Sequence, residues 1–316
     1  MKKFILYSIK LMVLPFVVFL INIFLDTHNS TKFYNRFIED LNLNDSLIIR
    51  INLSERQLVK NRINFQKSNH KNIVLGSSRS MLIGKPIGLL VDNYSMSGAI
   101  INDFEVVYNH LRKKDSEIDT IFLEISPWIF NQNVKESRYK DFNLPPLKRR
   151  IKKFFSIKYL KDNLTINKYL PALNEHDFIK YSDGTIRYDS AYRNQDNIKA
   201  INNFILGEVF HLEGFNSIKK LNANKLILLI EKMINDGVKP VFIKYPYPPL
   251  ITNEIIRKYP NIKHTESLID SLAKNYKIKT IGIFEPEKIN IKNEDFYDAM
   301  HLTPIGMKKL FRINKL

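Results

Sequence analysis

Apolar residues along the chain alternate between short continuous runs and stretches with helical spacing. Ile73-Val74-Leu75 is a short apolar run that ends at Gly76-Ser77-Ser78-Arg79, a pattern typical of a buried strand followed by a tight loop. Leu89–Val91 predicts a second short element, and Thr120–Ile125 predicts another strand. Strand, helix and strand in this order indicate a parallel sheet with right-handed crossovers. The helix between them has one apolar face, formed by Phe104, Val107, Tyr108 and Leu111.

The same alternation returns in the carboxyl-terminal third of the chain. Residues 221–235 predict an amphipathic helix, and Pro240–Lys244 predicts a buried strand that leads into a stiff loop, Tyr245–Pro249. A helix over Thr265–Tyr276 and a strand over Ile278–Phe284 follow, and a short helix closes the chain. The pattern as a whole therefore predicts an α/β domain built on a parallel sheet.

The amino-terminal segment has a different pattern. After two lysines, Phe4–Leu25 is apolar over 22 residues apart from breaks such as Lys10 and Asn22, which is long enough to span a bilayer. The lysines favour a cytoplasmic amino terminus, so we expect residues 1–26 to be a single-pass signal anchor in the cytoplasmic membrane, with the remaining chain extracytoplasmic. A cleaved signal peptide is the alternative, although no small-x-small cleavage site follows the segment.

Two further segments interrupt the α/β pattern. Residues 27–70 are polar and charged and predict a juxtamembrane segment. Residues 131–215 predict an insertion over the rim of the active site, between the two parts of the domain, 71–130 and 216–316. Within the insertion, residues 135–161 include ten Lys and Arg but two acids. A basic amphipathic helix in this stretch would bind a membrane surface or an anionic ligand, or else present a solvated face.

Charge and composition narrow the classes of partner. The 316 residues include 49 Lys and Arg against 32 Asp and Glu, which gives a net charge of +17 and predicts attraction to anionic partners. An extracytoplasmic location argues against nucleic acid and favours the membrane or an anionic glycan. The chain has no cysteine, which excludes disulfides, thiolate metal sites and a cysteine nucleophile. We predict no metal and no cofactor.

Two short motifs carry candidate catalytic residues. Ser78 follows the carboxyl end of the first predicted strand of the sheet, where open α/β sheets bind their ligands. Asp298 and His301 are three residues apart, so on a helical turn the carboxylate could orient the imidazole. The imidazole could then accept the proton of a serine hydroxyl within its reach. The alternatives are a merely polar turn at Gly76–Arg79 and a capping role for His301.

Three motifs together resemble a known superfamily. Gly76-Ser77-Ser78, Asn93-x-x-x-x-Gly98 and Asp298-x-x-His301-Leu-x-x-x-Gly306, in this order, resemble the SGNH (GDSL-like) hydrolases. The chain is most similar to their membrane-anchored extracytoplasmic branch, which includes the D-alanyl transfer protein of teichoic-acid modification and O-acetyltransferases of exported polysaccharides. The resemblance covers residues 70–130 and 237–316. It implies a three-layer α/β/α, flavodoxin-like parallel sheet.

The resemblance also implies a role for each matching residue. Ser78 would be the nucleophile, His301 the general base and Asp298 its orienting carboxylate. The backbone amides of Ser78 and Gly98 would bind the oxyanion.

The chain departs from the family pattern at two positions. Ser77 replaces the aspartate that is common in the wider family, and the segment Leu123–Pro127 has no asparagine where the family usually supplies a third oxyanion donor. Ser126 and Arg79 are candidates to replace that donor, and Asn93 is a further candidate for substrate or oxyanion support.

The resemblance implies a membrane-anchored serine acyltransferase or esterase that acts on an acetyl or similarly small O-acyl group of a cell-envelope polysaccharide. Transfer to a sugar hydroxyl and hydrolysis by water both stay open at this point. A multi-span membrane O-acyltransferase is implied as a partner. The alternative is a catalytically weak or inactive protein of the same fold that binds an anionic glycan or such a partner. A phosphate-handling enzyme is excluded because Gly76–Arg79 lacks the spaced glycines and lysine of a phosphate loop.

Overall fold

The computed structural model describes residues 2–25, 31–49, 54–66, 70–114, 117–134, 151, 154–157, 160, 178–187, 196–206 and 212–312. For residues 2–12, 25, 31–33, 204–206 and 287 it describes the backbone alone. Much of the predicted insertion and of the predicted basic helix lies outside the described residues.

The described chain contains both helices and strands in mixed order. The helices are α1 (Lys2–Leu25), α2 (Thr31–Asn44), α3 (Glu55–Phe65), α4 (Ile101–Lys113), α5 (Asn197–Leu206), α6 (Lys220–Asn235), α7 (Pro249–Lys258), α8 (Asn261–Asn275) and α9 (Pro304–Arg312). The strands are β1 (Ser46–Ile49), β2 (Asn72–Leu75), β3 (Asp92–Asn93), β4 (Thr120–Glu124), β5 (Phe178–Tyr181), β6 (Ile186–Arg187), β7 (Lys239–Ile243) and β8 (Lys279–Ile281).

Five strands form one parallel sheet, as the pattern predicts. Their order is β3-β2-β4-β7-β8, and each neighbouring pair is parallel. The chain moves from β2 to one edge and then, through β4, toward the other. The order therefore reverses between β2 and β4, and at such a switch point a crevice opens beyond the carboxyl ends of the strands.

Both faces of the sheet are buried, which explains why its strands are apolar runs without alternation. The larger cluster joins one face to α3, α4, α6, α7 and α8, and the smaller cluster joins the other face to α9 and the loops around it. Successive strand residues enter opposite clusters: Ile73, Leu75, Ile121, Leu123 and Phe242 enter the larger one, and Val74, Phe122, Val241 and Ile243 the smaller one.

Some elements differ from the sequence prediction. The short element predicted at Leu89–Val91 is instead β3, which begins at Asp92. Strand β8 ends at Ile281 because Gly282 has a φ of +76°, and a Cβ at this glycine would lie 2.2 Å from the carbonyl oxygen of Lys244. The chain after the predicted stiff loop forms α7, which has proline in its first turn, where a missing N–H costs nothing.

A second, antiparallel sheet joins the predicted juxtamembrane segment to the predicted insertion. Strand β1 pairs with β5, and β5 pairs with β6 in a hairpin with Asp183-Gly184 at its turn, where the sequence predicts a hairpin. This sheet is attached to the edge of the main sheet, because Asn93 N donates to Asp183 O over 2.7 Å. The described residues of these two strands and of the hairpin are therefore part of the folded domain.

The amino-terminal helix contacts a short part of the insertion. The side chain of Asn22 is fully buried and donates to the carbonyl oxygens of Phe154 (2.7 Å) and Ser156 (3.1 Å). The ring of Phe19 stacks on that of Phe155, with centroids 4.6 Å apart. Of the residues that the structure describes, no helix has both the length and the apolar character that a membrane span requires. The predicted span includes residues 4–12, whose side chains are not described, and it stays a prediction.

Candidate active site

Ser78 lies at the tip of a tight turn beyond β2. Residues Ser78–Ser80 form a single 3₁₀ turn, in which Ser78 is partly exposed and its neighbours Ser77 and Arg79 are buried. The turn packs closely on itself: a Cβ at Gly76 would lie 2.3 Å from Ser80 Oγ. Glycine at this position therefore allows the turn to close, and the turn presents the hydroxyl of Ser78 to the crevice.

Asp298 and His301 lie on a loop before α9. The predicted helical turn is wrong, because Phe296 and Leu302 form an antiparallel bridge and α9 begins only at Pro304. Proline disfavours helix in the residue before it, so the helix cannot extend back to His301. Asp298 Oδ1 instead organises the loop by accepting from the backbone amides of Met300 (2.7 Å) and His301 (2.8 Å).

The loop brings the three predicted residues into one chain of contacts. His301 Nδ1 lies 2.9 Å from Asp298 Oδ2, and His301 Nε2 lies 2.9 Å from Ser78 Oγ. With Nδ1–H donating to the carboxylate, Nε2 is free to accept the hydroxyl proton. Ser78 and His301 are 223 positions apart in the sequence, and the fold alone brings them together.

The carboxylate of Asp298 stays ionised in this setting. Burial raises the pKa of Asp298, but the hydrogen bond and charge of His301, together with the two backbone amides, outweigh burial. The net pKa is below the ordinary value of an aspartate. A carboxylate that stays charged can orient the imidazole and stabilise the imidazolium that forms during proton transfer.

The two predicted oxyanion donors lie on adjacent loops. Met96 N donates to Gly76 O over 3.0 Å, which brings the loop before Gly98 alongside the turn of Ser78. Among the described residues, the amides of Ser78 and Gly98 have no hydrogen-bond acceptor. Gly98 is partly exposed and has a φ of +58°, a left-handed conformation that glycine adopts without strain. Both amides are therefore available to an anionic oxygen.

A buried glutamate binds the residues on both sides of Ser78. Glu124 ends β4, is 1% exposed, and accepts from Ser77 N (2.6 Å) and Ser77 Oγ (2.7 Å). It also accepts from Ser80 Oγ and Ser126 Oγ, both over 2.7 Å. These four donors offset the cost of burying the carboxyl group of Glu124.

This network assigns a different role to Ser126 from the one predicted. Its hydroxyl donates to Glu124 and its side chain is buried, so it does not supply a third oxyanion donor. The cause is Glu124, two positions earlier, whose carboxylate accepts the hydrogen bond of this hydroxyl.

Arg79 and Asn93 also direct their polar groups into the protein. Arg79 donates to the carbonyl oxygens of Met300 and Pro246, and its guanidinium lies 5.0 Å from the ring centre of Tyr245. The amide of Asn93 donates to Ser80 O and Ile83 O. Arg79 therefore ties the turn of Ser78 to the His301 loop, and Asn93 supports that turn, rather than binding substrate directly.

The sequence analysis missed Glu124 as part of the site. A single acid at the end of the apolar run Ile121-Phe122-Leu123 was the available signal, since a charge in a buried strand requires partners. Within the described part of the chain, no group of three or more His, Asp and Glu side chains could hold a metal ion.

Comparison with known proteins does not assign the chain to a family. No family model matches the sequence, and no curated protein is significantly similar to it. The function is therefore inferred from the site itself.

Proposed function

We propose that the protein is a serine acyltransferase or esterase of the SGNH type. The observation that carries the proposal is the alignment of Ser78, His301 and Asp298, with both ring nitrogens of the histidine 2.9 Å from their partners. A histidine held in this way by an ionised carboxylate is the arrangement that activates a serine.

The architecture supports the same assignment. Numbered within the parallel sheet, the strand order β3-β2-β4-β7-β8 is 2-1-3-4-5, the flavodoxin-like order. Ser78 follows the strand at the switch point of this order. We therefore assign the domain to the three-layer SGNH-like fold that the motif resemblance implies.

In the first half of the reaction, His301 Nε2 accepts the hydroxyl proton while Ser78 Oγ attacks the carbonyl carbon of an acyl donor. The amides of Ser78 and Gly98 bind the oxygen that becomes negative. Collapse of the tetrahedral intermediate breaks the bond to the leaving oxygen, which takes the proton from His301. Ser78 is left as an acyl ester.

In the second half, a sugar hydroxyl or water gives its proton to His301 Nε2 and attacks the acyl ester. The negative oxygen forms again opposite the amides of Ser78 and Gly98. Ser78 Oγ then leaves with the proton from His301, which restores the site.

The site offers two backbone donors to the oxyanion and, among the described residues, no side-chain donor in the place of the family's asparagine. One such donor typically lowers the activation free energy by about 3 kcal/mol. We therefore expect slower turnover of simple esters than a three-donor site would give. This feature also favours the alternative, a protein of the same fold with weak activity that binds an anionic glycan.

We further propose that the amino-terminal segment anchors the domain outside the cytoplasmic membrane, where an envelope polysaccharide is the substrate. The net charge of +17 suits an anionic glycan or lipid surface. A multi-span membrane O-acyltransferase, implied by the resemblance, would supply the acyl group.

The proposal is tested with the detergent-solubilised full chain and p-nitrophenyl acetate. We expect release of p-nitrophenol and, by intact mass, an acetyl ester on Ser78. Ser78→Ala should reduce turnover to the buffer rate, and Asp298→Asn should lower kcat by roughly three to four orders of magnitude. Ser267→Ala, which changes an exposed serine on α8, is the matched control. Full activity in Ser78→Ala would overturn the proposal.

A further inference from the structure

The loop that carries the Gly98 amide is held by a helix from the segment before the α/β domain. Ser97 N donates to Glu55 Oε2 over 2.6 Å, and Ser97 Oγ donates to Glu55 Oε1 over 2.9 Å. Glu55 is the first residue of α3, within the predicted juxtamembrane segment. Both carboxylate oxygens therefore bind the residue immediately before Gly98.

Arg56 contacts the same loop from the next position. Its Nη1 lies 3.5 Å from Ser97 O, and its Nε donates to Asp103 Oδ1 over 3.0 Å. Asp103 is fully buried and accepts from Ile100 N through its other oxygen, at 3.1 Å. Arg56 thus has a fixed position between the loop and the first turn of α4.

These contacts determine where the Gly98 amide points. The carbonyl of Ser97 and the N–H of Gly98 belong to one planar trans peptide unit, so they point in opposite directions. Arg56 holds the carbonyl end of that unit on the side of α3. The Gly98 N–H is then directed away from Arg56, and the bond from Met96 N to Gly76 O holds the same loop beside the turn of Ser78.

The other end of the loop is held from the same helix. Arg62 lies seven residues after Glu55, two helical turns along the same face of α3, and its Nη1 donates to Asn93 O over 2.7 Å. Arg62 is 1% exposed. The residues from Asn93 to Ser97 are therefore fixed at both ends by one rigid element.

We propose that Glu55 and Arg56 are positioning residues for the oxyanion hole, which makes α3 a functional part of the catalytic unit. This inference rests on the proposed serine chemistry. Neither side chain touches the reacting atoms. Each acts through Ser97 on the direction of the Gly98 N–H, and small displacements of a positioned group are costly in rate.

Kinetics of p-nitrophenyl acetate hydrolysis by the full chain test this role. We expect Glu55→Ala to lower kcat by roughly 10- to 100-fold. Complete removal of one oxyanion donor costs about 100- to 1,000-fold, and a misplaced donor should cost less. KM should change little, since the donor acts mainly on the transition state. The pH dependence of kcat/KM should keep its shape, because Ser78, His301 and Asp298 are not displaced.

Conservative variants and controls separate positioning from general stability. Glu55→Gln retains one acceptor oxygen for Ser97 and should recover part of the lost kcat. Ser97→Ala should lose little further kcat when it is added to Glu55→Ala, because the hydroxyl that it removes no longer has the Glu55 carboxylate to bind. Glu105→Gln, on the exposed side of α4, is the matched control. Fluorescence of Trp128, the single tryptophan, reports the folded fraction of each variant.

Two results would overturn the inference. A folded Glu55→Ala variant with unchanged kcat, in a chain whose activity depends on Ser78, would remove the positioning role and leave the proposed function intact. A wild-type chain with no Ser78-dependent turnover would overturn both.

Discussion

The turn of Ser78 is hydrogen-bonded to the buried carboxyl group of Glu124. Its two oxygens accept from one backbone amide and three serine hydroxyls, all within 2.7 Å. A hydroxyl can rotate to accept instead of donate, but the amide of Ser77 cannot. The position therefore requires an acceptor oxygen facing Ser77 N.

Substitution of Glu124 should affect both stability and rate. Glu124→Gln keeps one acceptor oxygen for Ser77 N, so we expect a folded protein with kcat lowered on the order of 10-fold through a shifted turn. Glu124→Leu removes the acceptor of the buried Ser77 amide and the shared partner of three serine hydroxyls, and it should lose several kcal/mol of unfolding free energy. Urea unfolding followed by Trp128 fluorescence, together with ester turnover, measures both effects. A Glu124→Leu variant as stable as the wild type would contradict the role assigned to this residue.

We expect Lys180 to make the stability of the protein depend on pH. Burial, and then the charge of Arg62, lower the pKa of Lys180 from 10.5 to about 7. Between these two values the unfolded chain binds a proton that the folded chain does not. Stability should therefore rise with pH across this window, by up to about 1.4 kcal/mol per pH unit from this group.

Lys180→Met should remove that rise and stabilise the protein at neutral pH. The measurement is the urea midpoint of wild type and variant at a series of pH values from 6 to 10. Lys199→Met, which changes an exposed lysine on α5, should leave the slope as it is in the wild type. Parallel slopes in wild type and Lys180→Met would show that Lys180 does not titrate in this range.

At the scale of elements, α9 fixes the loop of His301 through one close backbone contact. A Cβ at Gly306 would lie 2.4 Å from the carbonyl oxygen of Asp295, which already accepts from Thr303 N over 2.8 Å. The close approach of helix and turn explains the glycine of the Asp298–Gly306 motif. The loop with Asp298 and His301 lies between Asp295 and the start of α9, which these two contacts join.

Gly306→Ala should move α9 away from the turn at Asp295. We expect a loss of about 1–3 kcal/mol of unfolding free energy from the overpacking, and a lower kcat because the His301 loop moves with the helix. Ile305→Ala, at a side chain that is 66% exposed, is the adjacent control. Unchanged stability and kcat in Gly306→Ala would show that the contact is not needed.

The elements that local periodicity determines were predictable from the sequence. Strands β2, β4 and β7 are apolar runs, and helices α4, α6 and α8 have one apolar face each, because each buries a face against the same sheet. Helix α7 was not predicted, since its initial prolines are equally compatible with a loop and with a helical first turn.

The candidate site was predictable only in part. Ser78, Asp298 and His301 stand out through motif and position along the chain. The contacts of Glu124 with Ser77 and of Glu55 with Ser97 join residues 47 and 42 positions apart. No local spacing encodes such contacts, because the fold alone brings the partners together. Ser126 was a candidate oxyanion donor although its partner Glu124 is only two positions away, because the burial that turns its hydroxyl to that carboxylate is set by the fold.

At the scale of the whole molecule, the amino-terminal helix and the basic insertion meet at Asn22. Its buried amide satisfies two backbone carbonyls of the segment Phe154–Ser156. An amide on an apolar helix is costly to bury without partners, so this contact holds the insertion segment on α1. The sequence around that segment is rich in lysine, including Lys152, Lys153 and Lys158.

Asn22→Ala should release this segment from α1. We expect faster cleavage by trypsin after these lysines in the full chain in detergent, read by mass spectrometry of the fragments. Phe24→Ala, at a side chain that is 89% exposed on the same helix, should be cleaved as slowly as the wild type. Equal cleavage rates in Asn22→Ala and wild type would show that Asn22 does not hold the segment.

Activation of Ser78 by His301 is tested most directly with a fluorophosphonate probe, applied to the full chain in native membranes and after purification. We predict one adduct, mapped by mass spectrometry to Ser78, that is lost in Ser78→Ala and in a folded His301→Ala variant. Labelling of Ser78 at the wild-type rate in His301→Ala, or no labelling in either preparation, would contradict a serine activated by His301 and Asp298.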